Sequence, residues 1–302
     1  MKATAIQAIP LMPCNRLSSF SSMCRRALLL AVALLLFSGT AAALFPVARP
    51  ASAQRFAPRP RPVLTLPTTL PQRTITLPIL MYHLIGPIRA DQPPITQRLT
   101  VEPDDFAAQM HWLNRHGFHA VSQQQAFASL EHGAKLPSHP IMITFDDGYG
   151  DVWANALPVL ARLHMPATEY VITSRVSDFD PGTLTWGQLH ALERNGVAIG
   201  SHTVTHPDLT TLSDADALAE LRNSRRRLER HLKRPVQWFA YPAGAHDARI
   251  VELVRRAGYV LAVTTQPGAV QSAQTPLELH RYEILDSTHV SGLAALLAGT
   301  HG

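Results

Sequence analysis

Asp146 and Asp147 stand side by side after the apolar run Ile141-Met142-Ile143-Thr144-Phe145 and immediately before Gly148. The run reads as a short buried strand that the glycine ends. Desolvating a carboxylate is costly unless it is paired or bound to a cation. Neighbouring strand residues point to opposite sides, so the two acids meet different partners: one suits a metal ion, the other a proton. The plain alternative is Asp-Asp-Gly turn chemistry. Further along, His202 and His206 form a His-x-x-x-His pair, a spacing that lets two imidazoles reach one ion from a single turn. Pro207 discourages helix beyond it. Two imidazoles and a carboxylate leave an open position for water on Zn²⁺. The same set could hold Fe²⁺ in an oxygenase. In a chain with fifteen histidines, the pair gains weight only if both motifs lie at one end of one sheet.

The alternation of patterns from residue 79 supplies that sheet. Strands are expected at Ile79–His83, Phe118–Val121, from Ile141, and at Ala167–Ile172, Val197–Ser201, Val236–Tyr241, Tyr259–Thr264 and His280–Ile284. Helices are expected at Pro103–His116, Gln123–His132, Asp151–His164, Thr185–Arg194, Ser213–Leu232, His246–Ala257 and Val290–Leu297. Strands alternating with helices imply a parallel sheet. Seven or eight such units predict a distorted (β/α)7–8 barrel, with an open doubly wound sheet as runner-up. Barrel chemistry sits at the C-terminal strand ends. There the sequence places Tyr82-His83, Asp146-Asp147, Ser201 to Pro207, and Ala240-Tyr241-Pro242-Ala243-Gly244. No glycine-rich phosphate loop follows a strand, which argues against nucleotide binding.

The chain before this alternation is of another kind. Arg25 and Arg26 precede an apolar stretch, 27–47, that carries small residues, and two A-x-A sites fit cleavage, Ala41-Ala42-Ala43 within it and Ala51-Ser52-Ala53 after it. Residues 1–53 read as a signal peptide or a membrane anchor, which predicts export to the periplasm or outside the cell, with 27–47 as the membrane attachment. Residues 54–75 read as a Pro/Arg-rich linker, an extended tether, and 76–302 as the catalytic domain. Nine of the 27 Lys and Arg, and none of the 22 Asp and Glu, fall within residues 1–78. The rest carries 18 basic against 22 acidic residues, a net of −4, so a nucleic-acid partner is disfavoured. The basic run Arg222 to Arg234 reads as a solvated helix face. Both cysteines, Cys14 and Cys24, precede the apolar stretch, so the domain has no disulfide or thiolate site. Trp153 and Trp238 are expected in the core, and Trp186 on a loop where it could stack on a sugar.

Thr144-Phe145-Asp146-Asp147-Gly148 followed by His202-Thr203-Val204-Thr205-His206 resembles the first two motifs of the polysaccharide deacetylases, the NodB-homology carbohydrate esterases. Phe239-Ala240-Tyr241-Pro242-Ala243-Gly244 resembles the third. Leu80-Met81-Tyr82-His83 and Leu261-Ala262-Val263-Thr264-Thr265 with Gly268 are similar to the poly-N-acetylglucosamine deacetylase branch. The resemblance covers roughly residues 76 to 298. It implies a barrel that hydrolyses N-acetyl groups of an exported glycan, with Asp146 as base and Asp147, His202 and His206 holding a divalent metal, Zn²⁺ first and Co²⁺ or Ni²⁺ as alternatives. Ala243 would supply a backbone donor to the oxyanion, with Tyr241 beside it in the substrate site. The sequence departs from the family at Ala240, where an arginine usually braces the base, and at Ala243, usually tyrosine. The proton donor is open between His83, by placement, and His280, by order. Arg281 is a candidate replacement for the missing brace. An O-acetyl esterase and a non-catalytic metal- or glycan-binding protein are the competing readings.

Overall fold

The computed structural model describes residues 62–177, 180 and 182–300. The expected leader and anchor, and residues 54–61 of the expected linker, lie outside the described residues. Among those described, no helix is long and apolar enough to cross a membrane.

Seven strands carry the fold: β1 Ile79–Tyr82, β2 Pro140–Asp147, β3 Ala167–Val171, β4 Val197–Ser201, β5 Trp238–Ala240, β6 Leu261–Val263 and β7 Tyr282–Glu283. They lie in the order β6-β5-β4-β3-β2-β1-β7, all parallel. Leu279 bridges Val263 just before β7 pairs with β1, so the curled sheet meets its own far edge at residues 279–283. Every residue of β1, β3 and β4 is buried, as expected for parallel strands covered on both faces. Along β2, Ile143 and Phe145 pack outward against the helices, while Met142 belongs to the inner cluster with Tyr170, Trp238, Ala240 and Val263. This two-residue alternation puts Asp146 on the inner side.

Helices α1 Pro103–Arg115, α2 Gln123–His132, α3 Leu157–Leu163, α4 Trp186–Arg194, α5 Asp214–Leu232, α6 Ala248–Arg256 and α7 Val290–Leu297 fall at or within two residues of the expected bounds, except α3. α3 is preceded by a π-helical segment, Val152–Ala156. α5 shows why the bounds were legible. Ser213 caps it by accepting the Asp216 N–H, Asp214 and Asp216 fill its first turn, and Ala217, Leu221, Ser224, Leu228 and Leu232 form its buried stripe. Its basic residues take the outer side, as expected, and some of them also tie elements together. Arg225 bonds Glu229 and the Ala257 carbonyl, and just beyond the helix Arg234 pairs with Glu193.

Three expectations are corrected. Trp153 is 40% exposed. Val152, Ala156 and Leu160 take the inward stripe, and the next residue along falls about 100° away from it. Trp186 opens α4 rather than lying on a loop, and its ring stacks on His231 at 3.7 Å with Arg227 5.8 Å from its centroid, so the ring is already engaged by protein. The second half of the expected tether is packed. Leu64 exchanges two hydrogen bonds with the Gln237 side chain, Leu64 and Leu66 lie against the core, and Arg73 donates to the Leu130 carbonyl at the end of α2. Thr74–Thr76 then pairs with Val270–Ser272. Prolines remove donors from such a segment but leave its carbonyls and alternating leucines free to bind.

Asp151 fastens the start of the π-helical segment to the barrel. Its Oδ2 accepts the Ile85 N–H at 3.1 Å, while Oδ1 is buried without a partner. Burial pushes its carboxyl up from 3.8 to about 6. A folded-state pKa above the unfolded one gives stability that is present below pH 3.8 and lost as pH rises through about 6. Asp151→Asn keeps an acceptor and removes the charge. Urea unfolding at pH 7 is expected to show a gain of up to ~3 kcal/mol that disappears near pH ~4; a gain independent of pH would contradict this account.

Candidate active site

The C-terminal ends of β1, β2, β4 and β5 converge. β2 extends through Asp147, which takes a left-handed backbone (φ 82°) and leads into Gly148. Asp147 thereby leaves the strand's alternation and turns to the rim, while Asp146 stays inside. After β4 the chain enters a loop in which Thr203 and His206 are also left-handed, both with φ 65°.

Asp147, His202 and His206 come together as a ligand set whose donor atoms lie within 4.8 Å of one another. Asp147 Oδ1 stands 3.6 Å from His202 Nε2 and 3.7 Å from His206 Nε2. These gaps are too long for hydrogen bonds, and Oδ1 is buried with no hydrogen-bond partner. They do suit donors sharing one tetrahedral ion at ~2.0–2.1 Å from each. His202 is buried, and its Nδ1 lies 2.8 Å from the Ala240 carbonyl. That contact assigns the proton to Nδ1 and leaves Nε2 as a lone-pair donor facing Asp147. Burial pushes the His202 pKa down, against the pull of Asp146 and Asp147, which also favours the neutral ligand form. The residues therefore fit a divalent metal, through an orphaned carboxylate oxygen and an oriented imidazole.

Asp146 has different company. It is buried, and Arg281 grips both its oxygens, Nη1 to Oδ1 at 2.8 Å and Nη2 to Oδ2 at 2.7 Å. Arg281 is wholly buried and is itself held by the Thr264 carbonyl and Thr144 Oγ1. Burial pushes the Asp146 carboxyl up, but the Arg281 charge and hydrogen bonds more than offset this and hold it at about 2. The expected brace is thus present, and it enters from the seam where residues 279–283 close the barrel.

The two candidate proton donors separate. His83 lies among the cluster: burial pushes its imidazole down while Asp146 and Asp147 pull it up, and its Nδ1 is buried without a partner. His280 is directed elsewhere. Its ring lies against Gly268, where a Cβ would sit 2.6 Å from Nδ1, and its backbone is tied to the Gln271 side chain. Strand alternation explains this, since Arg281, the next residue, points inward.

Tyr241 is corrected. Its side chain is buried beside Phe239 and Tyr259, and its hydroxyl donates to the Leu277 carbonyl; it is a core residue. Ala243 is exposed in the turn Pro242–Gly244 with φ 52°. Two residues near the site went unread in the sequence. Arg175, on the loop after β3, lies 3.7 Å from Asp147 Oδ2 and over the Tyr149 ring; the strand-end rule applied to β3 would have found it. Glu169, inside β3, accepts the Gly148 N–H at 2.9 Å and is pushed well up by burial and by Asp146. A lone acid in an apolar strand was its signal.

Comparison with known proteins agrees with the geometry. The polysaccharide deacetylase family model matches residues 133–262. YxkH of Bacillus subtilis (strain 168), assigned to the polysaccharide deacetylases, is 30% identical over 223 residues, 74% of this chain and 76% of that protein. The poly-beta-1,6-N-acetyl-D-glucosamine N-deacetylase of Staphylococcus aureus (strain MRSA252) is 23% identical over 62% of this chain and 68% of its own length. Among solved structures, the Streptococcus pyogenes deacetylase PplD in complex with acetate superposes with a TM-score of 0.68 at 28% identity, covering 74% of this chain and 99% of its own.

Proposed function

This chain belongs to the polysaccharide deacetylase family, and from that premise we propose that it is a metal-dependent hydrolase that removes N-acetyl groups from an N-acetylglucosamine-containing glycan. The carrying observation is the convergence of Asp147, His202 and His206 beside an Asp146 that Arg281 keeps ionised. The likeness to the staphylococcal poly-N-acetylglucosamine enzyme supports the substrate class. The apolar stretch 27–47 behind Arg25 and Arg26 supports export and action on an envelope or extracellular glycan, with this segment as membrane attachment.

A divalent ion, Zn²⁺ by donor set, would polarise the acetyl carbonyl and acidify a water from 15.7 towards ~7. Asp147, His202 and His206 would hold it. Asp146 takes the proton of the attacking water. Because Arg281 lowers its basicity along with its pKa, it serves as base only towards an acidified water. The Ala243 N–H meets the negative charge developing on the acetyl oxygen. His83 acts as the imidazolium, a form that Asp146 and Asp147 favour against burial; it gives its proton to the departing sugar amine and is left neutral, and Asp146 releases the proton it took from water. The C–N bond breaks, and acetate and a free amine are left.

The test is acetate release from N-acetylglucosamine oligomers by the full chain, with amines counted in parallel. One new amine per acetate is expected, with Asp146→Asn lowering the rate ~10²–10⁴-fold. Acetate without amine from O-acetylated glycans would assign an esterase. Bound metal with no turnover on any acetylated sugar would leave a binding protein.

A further inference from the structure

The loop that presents both imidazoles does not hold its own shape. Thr203 and His206 are left-handed non-glycine residues, and a β-branched residue there is rare enough to need outside support. Part of the support is internal: Thr203 Oγ1 accepts the His206 N–H at 2.9 Å. Part comes from the loop after β3, where the Thr173 and Ser174 N–H groups donate to the Thr203 and Val204 carbonyls. The remainder comes from one side chain on α5. Glu220 Oε2 accepts the Val204 N–H at 2.8 Å and the Thr205 N–H at 3.0 Å, and Oε1 accepts the Thr205 hydroxyl at 3.0 Å.

Three charge-assisted bonds from one carboxylate to two consecutive residues are a specific arrangement. Glu220 has no Lys, Arg or His ion-pair partner among the described residues, so its hydrogen bonds described here all serve this loop. Its position explains its reach. α5 is fixed at its start by Ser213 and docks through Ala217, Leu221 and Ser224, and Ser224 Oγ bonds Ser201 Oγ at the end of β4. The helix is therefore tied to the strand that launches the loop, and Glu220 closes the ring from helix to strand to loop and back.

We propose that Glu220 is a positioning residue of the metal site: it locks residues 203–205 so that His202 and His206 both face Asp147. This rests on the metal-centre reading above. A carboxylate that supports ligands from behind typically contributes ~10–100-fold to metal affinity, whereas one that merely fastens a surface loop contributes to stability alone.

The experiment titrates metal-free full chain with Zn²⁺ by calorimetry, and with Co²⁺ by its visible absorption, which reports ligand geometry. Wild type is compared with Glu220→Ala, Glu220→Gln, His202→Ala and Glu229→Ala. Glu229 lies on the same helix and holds Arg225 and the Val236 N–H away from the site, so its loss destabilises without touching the loop. Glu220→Ala is expected to weaken binding ~10–100-fold and to change the Co²⁺ spectrum. Glu220→Gln, isosteric and still able to accept, is expected to lose less, and it decides the matter if the alanine variant does not fold. Glu229→Ala is expected to bind as wild type does. Unchanged affinity in both Glu220 variants, with binding still dependent on His202, overturns the role of Glu220 alone. Wild-type binding that ignores His202→Ala overturns the metal-centre reading itself, and this role with it.

Discussion

Arg281→Ala is expected to lower deacetylation by ~10²–10⁴-fold, the range set by a base that loses its correct state and aim, and to destabilise the fold by ~3–5 kcal/mol. Both effects follow from one contact. The guanidinium is wholly buried and binds Asp146 through two parallel bonds. Its removal leaves an uncompensated buried carboxylate, which costs more than the pair is worth. Asp146 is held at about 2 against an ordinary 3.8. A depressed carboxylate gives stability that is present above its unfolded pKa and lost as pH falls through the folded one. The wild-type share, ~2 kcal/mol, is therefore lost between pH 3.8 and about 2. Without Arg281, burial is opposed only by His202 and His83 and drives the Asp146 pKa upward, so the acid limb of the kcat/KM profile moves to higher pH. Arg281→Lys keeps the charge but not the planar fork and is expected to fall between the two. The checks are pH–rate profiles and urea unfolding at pH 7 and pH 3. An unchanged rate in Arg281→Ala would remove Arg281 from the machinery.

The brace also shows what a sequence discloses and what it hides. Asp146-Asp147 and His202-x-x-x-His206 were legible because each motif is local and ends an apolar run long enough to be read as a buried strand. The barrel was legible for the same reason, since parallel strands covered on both faces appear as near-continuous apolar segments. Arg281 had only a place in the chain order to recommend it. Its partner lies 135 residues away, and the link exists only because residues 279–283 close the sheet beside β1. That closure lets a side chain from the seam reach both oxygens of Asp146. Ala240 serves the site in another way, as the carbonyl that orients His202. Glu220 was hidden because it looks ordinary in its element, one polar residue among many on an amphipathic helix, while Glu169 stood out as a lone acid in an apolar strand without disclosing its partner. Their bonds run to backbone N–H groups of left-handed loops, and a loop's backbone conformation leaves little mark on its residue types. Tyr241 misled in the opposite sense. It sits at a strand end, but its direction is set by the aromatic cluster behind β5. The packed strap at 64–76 was masked by its prolines, which signal extension without saying whether the extended chain lies on a surface.

Chelation of the wild-type chain is expected to abolish acetate release, and His202→Ala is expected to make that loss permanent when Zn²⁺ is returned. Loss of a mere supporting partner costs ~10–100-fold in affinity, and loss of one of three protein ligands costs more. The effect can be read without substrate. An ion that binds only the folded state stabilises it by ~2.7 kcal/mol at a hundred times its Kd and ~4.1 kcal/mol at a thousand times. For a domain of this size that corresponds to a rise in Tm of roughly 5–15 °C. His202→Ala should abolish the rise, because Asp147 and the half-exposed His206 are left to hold the ion across a loop that no longer closes on it. The variant is also expected to be less stable without metal by ~1–3 kcal/mol, since the Ala240 carbonyl loses its buried donor. The pH dependence separates a ligand from a structural histidine. Burial keeps His202 neutral to lower pH than a free imidazole, so Zn²⁺ binding should persist into mild acid and then fail as protons compete for Nε2. A Tm rise that survives in His202→Ala would mean that the ion sits elsewhere, and Asp147, with its one orphaned oxygen, would then need another explanation.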